Sequence, residues 1–217
     1  MNPEINLHLK QPVISAGAAI KDAQQVMILL HGRGASAESI LTLAAELDAP
    51  NVHFLAPQAF QNRWYPQSFL APIETNEPDL SYALERVDTL VSNLLSSGKS
   101  PDQIILAGFS QGACLAAEYV IRNPRRYAGL IVLSGGWIGP QTMQRSVEAD
   151  LDGMPVFIGC SDIDQHIPLS RVEETASLFT SMNANVDLQI YPGMGHTVNA
   201  DEISRINNLL KQTVKAS

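Results

Sequence analysis

The sequence predicts a doubly wound α/β fold, a mostly parallel sheet with helices on both faces. Three observations predict it. Six apolar runs recur along the 217 residues, at 26–30, 52–56, 104–109, 130–134, 156–160 and 186–191. Most are continuous rather than alternating, as parallel strands covered on both faces require. Stretches with helical patterning separate most of them, over about 36–47, 79–95, 111–123, 169–182 and 199–213. The length suits one domain, and apolar residues make up 45% of it, enough for a large core.

The elements follow in order. Residues 5–15 are expected to form an antiparallel hairpin at the sheet edge. The first parallel strand, 26–30, runs directly into His31-Gly32-Arg33-Gly34. After the strand at 52–56 comes the longest irregular stretch, 58–78, rich in proline turns at Pro66, Pro72 and Pro78. A loop of that length in a compact domain is usually functional, which makes it a candidate wall of a binding site. It is equally a candidate contact for a second subunit in a homodimer. Pro101 ends one connection and Pro124 closes another. Asn199, with Glu202 three residues on, has the spacing of a capping box and marks the start of the last helix. No repeat, low-complexity tract or linker divides the chain, so residues 1–217 are read as one domain.

Composition excludes several functions. Asp and Glu outnumber Lys and Arg 22 to 14, a formal net charge of −8. Nucleic-acid binding needs clustered cations, and anionic membranes offer this chain no attraction. No run approaches a membrane span, and the polar start at residues 1–4 is unlike a secretion signal. Two cysteines, Cys114 and Cys160, give no disulfide framework. A cytoplasmic location is expected.

The strongest chemical signal is Gly108-Phe109-Ser110-Gln111-Gly112, between an apolar strand and a helix. A serine flanked by glycines at −2 and +2 at such a junction is the nucleophile elbow of α/β-hydrolases. The turn is so tight that flanking side chains would collide with backbone, and the serine itself is expected in a strained conformation. The helix aims its free N–H groups at charge developing beside Ser110.

A serine hydroxyl needs a base, and the base needs an orienting acid, which arrive later in the chain in the order acid, then histidine. His196 lies in Gly195-His196-Thr197, after a strand and before the last helix, and is the expected base. His166 lies too close to its neighbouring acids for that role. The acid is Asp162 or Asp164 in the loop after 156–160; Asp164, deeper in the loop, is favoured, and Asp162 is expected to bind backbone in the same loop. Two N–H donors are needed for an oxyanion hole. The expected pair is the backbone N–H of Gln111 and that of Arg33, with His31 bracing the loop. The Arg33 side chain is either a contact for an anionic substrate group or solvent-facing. Trp64, Tyr65, Phe69 and Trp137 are candidate walls of a substrate pocket, with core packing as the alternative. No metal-binding cluster or dinucleotide fingerprint is present, so no cofactor is expected.

Leu30-His31-Gly32-x-Gly34, Gly108-Phe109-Ser110-Gln111-Gly112, Asp162-x-Asp164-x-x-Ile167-Pro168 and Gly195-His196 resemble the phospholipase/carboxylesterase family over nearly the whole chain. The resemblance implies an α/β-hydrolase fold and an enzyme cleaving esters or thioesters. It implies Ser110 as nucleophile, His196 as base, Asp164 as its partner, and Arg33 and Gln111 as oxyanion donors. The chain departs from the family at Arg63-Trp64-Tyr65-Pro66, where relatives often carry Asp after two aromatics. Substrate is therefore not carried over with the chemistry. A carboxylesterase for short or medium acyl chains is the expected function. A lysophospholipase or acyl-protein thioesterase is the alternative, and a non-catalytic binding protein a third reading, opposed by the intact Ser, Asp and His.

Overall fold

The computed structural model describes residues 5–215, so the polar start at 1–4 lies outside the described residues. Seven strands form one sheet: β1 (Val13–Gly17), β2 (Gln25–Leu30), β3 (Val52–Pro57), β4 (Ile104–Phe109), β5 (Gly129–Leu133), β6 (Pro155–Ser161) and β7 (Asn185–Tyr191). Their order is β1-β3-β2-β4-β5-β6-β7. Every pairing is parallel except that of β1, which runs antiparallel to β3.

β2 and β5 are buried along their whole length, which is why all but the first residue of β2 reads as an unbroken apolar run and β5 does throughout. Alternate residues feed opposite faces. Val26, Ile28 and Leu30 pack with α2 (Asp79–Ser96), α3 (Gln111–Arg122) and α4 (Leu169–Ser181). Met27 and Leu29 pack with α1 (Ala37–Ala45) and α5 (Ala200–Lys215). Eleven of the twelve residues of α3 are buried. One is a charge, Glu118, whose carboxylate is held by Arg122 and Arg145 at 2.6 Å each and by the Ile138 N–H at 3.2 Å. Such pairing is what makes a buried carboxylate tolerable.

The expected N-terminal hairpin is absent: β1 alone joins the sheet. The residues before it turn on themselves, Lys10 N–H to the Leu7 carbonyl and Gln11 N–H to that of His8. Asn6 ties them to α2 through the Tyr82 carbonyl and Glu85, both at 2.9 Å. Long-range polar contacts thus replace the strand pairing.

The chain steps from β2 to β3 on one side and then to β4 on the other. That reversal opens a crevice at the C-terminal ends of β2 and β4, the place where open α/β sheets bind ligands. The loop at 31–34 and Ser110 both emerge there.

Candidate active site

Ser110 stands at the N-cap of α3 with φ 55° and ψ −121°. This strained conformation costs on the order of 1–3 kcal/mol in a non-glycine residue. The flanking glycines permit the turn. A Cβ at Gly108 would overlap the Gly112 backbone, and one at Gly112 would overlap the Leu30 carbonyl oxygen. β4, α3 and the end of β2 are therefore in backbone contact.

His196 and Asp164 meet from the loops after β7 and β6. His196 Nδ1 lies 2.7 Å from Asp164 Oδ2. A carboxylate only accepts, so Nδ1 donates, and the neutral ring keeps its lone pair on Nε2. The Asp164 carboxyl is fully shielded, and its other oxygen accepts the N–H groups of His166 (2.8 Å) and Ile167 (3.1 Å). Burial pushes the Asp164 pKa up, but these hydrogen bonds and the His196 charge outweigh it and hold the carboxyl below its ordinary value. Asp162 does not reach the ring. Its Oδ1 accepts the Gly193 N–H at 2.8 Å, so it braces the His196 loop rather than its own. Ser161 adds a second tie, donating to the Met194 carbonyl. The His196 ring packs against Phe109 at 4.8 Å and edge-on against His166 at 4.9 Å.

The loop after β2 passes Ser110 closely, since a Cβ on Gly32 would sit 3.3 Å from that of Ser110. His31 holds this loop. It is fully buried, its Nδ1 donates to the Gly32 carbonyl at 2.7 Å, and its Nε2 accepts the Ala59 N–H at 3.0 Å. Burial lowers its pKa, which keeps the ring neutral for this double role. Arg33 is exposed at the rim of the site, as one of the two readings expected, and its guanidinium is tied down rather than free. It donates to the carbonyls of Tyr65, Pro66 and Gln67 at 3.0, 2.8 and 2.6 Å. The Gln111 side chain grips the same stretch, accepting the Trp64 N–H at 2.8 Å and donating to the Tyr65 carbonyl at 2.9 Å. As the first residue of α3, Gln111 has a backbone N–H without an intrahelical acceptor.

A cavity of about 520 Å³ joins these parts. Ser110, Gln111, Arg33 and His196 line it, with Tyr65 and Phe69 from the long loop. Two expected walls are elsewhere. Trp64 is fully buried behind the loop, its indole N–H donating to the His31 carbonyl at 2.8 Å. Trp137 lies under the guanidinium of Arg171, 3.6 Å from the ring centroid, because that buried cation needs the π face and the carbonyls of Trp137 and Gly139. Trp137 borders a separate cavity against α4. Within the 58–78 loop, Trp64, Tyr65 and Phe69 are all buried. Sequence reasoning missed Cys114 and His166 as lining residues. Cys114 had a readable signal, lying one helical turn after Ser110; His166 required the packing of two loops.

The last helix is anchored beside the His196 loop by the anticipated capping box: Asn199 N–H to Glu202 Oε2 at 2.8 Å and Glu202 N–H to Asn199 Oδ1 at 2.9 Å. The second Glu202 oxygen is buried without a partner and fills the space that a Gly159 side chain would occupy. Burial pushes this carboxyl up to about 7. The folded state then keeps a proton that the unfolded chain releases near pH 4.5. Its contribution to stability is greatest below pH 4.5, falls as pH rises to about 7, and is constant above. Glu202→Gln is expected to remove that decline, worth on the order of 3 kcal/mol. Melting temperatures of both proteins at pH 5 and pH 8 check it: the wild type should lose more on going up.

Comparison with known proteins fits this geometry. The phospholipase/carboxylesterase family profile matches residues 10–214. The chain belongs to that family. A phospholipase/carboxylesterase from Dyadobacter fermentans superposes with a TM-score of 0.88 at 40% identity, covering 93% of this chain and 96% of that one. Acyl-protein thioesterase 1 of Saccharomyces cerevisiae is 24% identical over 94% of this chain and 99% of its own length. A probable carboxylesterase of Arabidopsis thaliana, SOBER1-like, is 24% identical over 96% of this chain and 88% of its own. This phospholipase/carboxylesterase is thus a hydrolase with an α/β-hydrolase fold. Among its described residues no helix is long and apolar enough to cross a membrane.

Proposed function

We propose that this single-domain enzyme hydrolyses carboxylic esters of short or medium acyl chains through an acyl-enzyme on Ser110. The observation that carries the reading is the 2.7 Å contact between His196 and a shielded Asp164, on a ring sharing one cavity with the strained Ser110. His196 takes the Ser110 proton as the oxygen attacks the carbonyl carbon. The oxyanion is held by the N–H groups of Gln111 and Arg33. His196 then protonates the leaving alcohol, and water activated by the same ring releases the acid. Asp164 orients the ring and stabilises its charged form. The free, buried state of both cysteines suits a reducing, cytoplasmic setting.

The cavity favours this over a lysophospholipase or acyl-protein thioesterase. Its walls carry Arg33, Gln67, Ser68, Gln111 and His166, and a long acyl chain needs a continuous apolar surface. The full-length relation to a yeast acyl-protein thioesterase supports the second reading. Hydrolysis of p-nitrophenyl acetate, butyrate and palmitate separates them. Turnover concentrated on acetate and butyrate is expected, and a strong palmitate preference would transfer the assignment to lipidated substrates.

The acid assignment has its own test. Asp164→Asn is expected to lower kcat by about 10³–10⁴, because the imidazole loses its acceptor and its tautomer. Asp162→Asn, which touches only the Gly193 N–H, should cost less than about tenfold. The reverse order in p-nitrophenyl butyrate kinetics would make Asp162 the partner of His196.

A further inference from the structure

The two residues whose backbone N–H groups are proposed as oxyanion donors also send their side chains to one place. Arg33 Nη2 and Gln111 Nε2 both donate to the Tyr65 carbonyl oxygen, at 3.0 and 2.9 Å. That oxygen has two lone pairs, and both are taken. Arg33 reaches on to the carbonyls of Pro66 and Gln67 at 2.8 and 2.6 Å, and Gln111 Oε1 accepts the Trp64 N–H at 2.8 Å. Residues 64–68 form no helix or strand, so their backbone polar groups need partners from elsewhere. The far side of the segment is pinned as well. Asn76, fully buried, accepts the Gln67 N–H at 2.7 Å and donates to the Ser68 carbonyl at 3.0 Å. The segment is a fixed anchor rather than a loose loop.

The two N–H groups do not depend on that anchor equally. The Gln111 N–H opens α3, and the helix fixes its direction. The Arg33 N–H lies between Gly32 and Gly34, and Gly34 has φ +77° with nothing within 4 Å of where a Cβ would be. Glycines on both sides leave the backbone at residue 33 little conformational preference of its own. His31 holds the start of this loop, and the Gly34 N–H reaches the Asn62 carbonyl at 2.7 Å. Residue 33 itself is held through its side chain, by carbonyls 32 to 34 residues ahead.

Resting on the acyl-transfer reading of Ser110, we propose that Arg33 is a positioning residue through its guanidinium. By clamping to the carbonyls of residues 65–67 it holds its own backbone N–H toward the oxyanion, and the Gln111 side chain keeps the anchor in register with α3. The guanidinium acts on the reaction through the loop, not by contact with substrate. Oxyanion donors work at about 2.7–3.1 Å, and a displacement of about 1 Å costs on the order of 10²-fold.

Arg33→Met and Arg33→Lys test this with p-nitrophenyl butyrate, a neutral ester, and with a trifluoromethyl ketone as inhibitor. In the ketone adduct Ser110 Oγ bonds to the carbonyl carbon, its proton passes to His196, and the carbonyl oxygen becomes the oxyanion. Arg33→Met should lower kcat by about 10² with KM within about threefold, and weaken inhibition by the ketone by a similar factor. Arg33 stands at the exposed rim, so the melting temperature should fall by less than about 5 °C. Arg33→Lys keeps the charge but cannot span three carbonyls, and should remain at least about tenfold below wild type in kcat. It decides the matter if Arg33→Met does not fold. Wild-type kcat in a folded Arg33→Met, or a change confined to KM, overturns the proposal. So does full activity in Arg33→Lys, which would make charge rather than the clamp the cause. A loss seen with the anionic p-nitrophenyl hemisuccinate but not with butyrate would make Arg33 a substrate contact and overturn it too. A wild type that neither hydrolyses an ester nor binds the ketone removes the hydrolase reading itself, and this proposal with it.

Discussion

Ser110→Ala is expected to lower kcat by about 10⁴–10⁶ on any ester the enzyme cleaves, with the fold intact. Only the Oγ is removed, and with it the atom proposed to form the acyl-enzyme. The remaining rate comes from the oxyanion donors and binding, which still favour the transition state for attack by water. Stability should change little. Alanine adopts the backbone at φ 55° at a cost similar to serine, and the N–H of residue 110 keeps its 2.9 Å bond to the Leu133 carbonyl. His196→Ala should fall to a similar floor, and the double variant scarcely lower, because the two act as one unit. Steady-state kinetics with p-nitrophenyl butyrate and thermal melts measure both halves. A residual kcat above about one hundredth of wild type would remove Ser110 from the mechanism.

Gly112→Ala is the expected structural counterpart, destabilising by more than about 4 kcal/mol or giving no soluble protein. The added methyl would overlap the Leu30 carbonyl oxygen and crowd that of His31. Both are backbone atoms at the end of a fully buried strand, so neither moves without shifting the sheet. The same displacement would open the gap between Ser110 and the loop at 31–34, so any folded fraction should also be inactive. Gly195→Ala is the control, since nothing lies within 4 Å of a Cβ there. Its melting temperature should match wild type within about 2 °C. Equal stability of the two variants would mean that the close approach of β2 and α3 is wrong.

What was readable in the sequence follows from how locally each feature is encoded. The parallel strands were legible because burial on both faces leaves almost no polar position, as in residues 26–30 and in Gly129–Leu133. The elbow was legible because two backbone contacts demand glycine at fixed offsets. The edge was not. Val13–Gly17 is half-exposed, and the segment before it is held by Asn6 contacts 76 and 79 residues away. The aromatic walls divided for the same reason. Tyr65 and Phe69 are on the cavity, but Trp64 and Trp137 answer to partners about 34 residues distant, the His31 carbonyl and Arg171. Arg33 likewise spends its guanidinium on a loop that local sequence does not place beside it. Side-chain chemistry was readable, while its long-range partners emerged only with the fold.

The most direct test is labelling with a fluorophosphonate, followed by intact mass and peptide mapping. The prediction is a single adduct, on Ser110, formed quickly in the wild type and at least about a hundredfold more slowly in His196→Ala. No adduct, or an adduct on another serine, would contradict an activated Ser110.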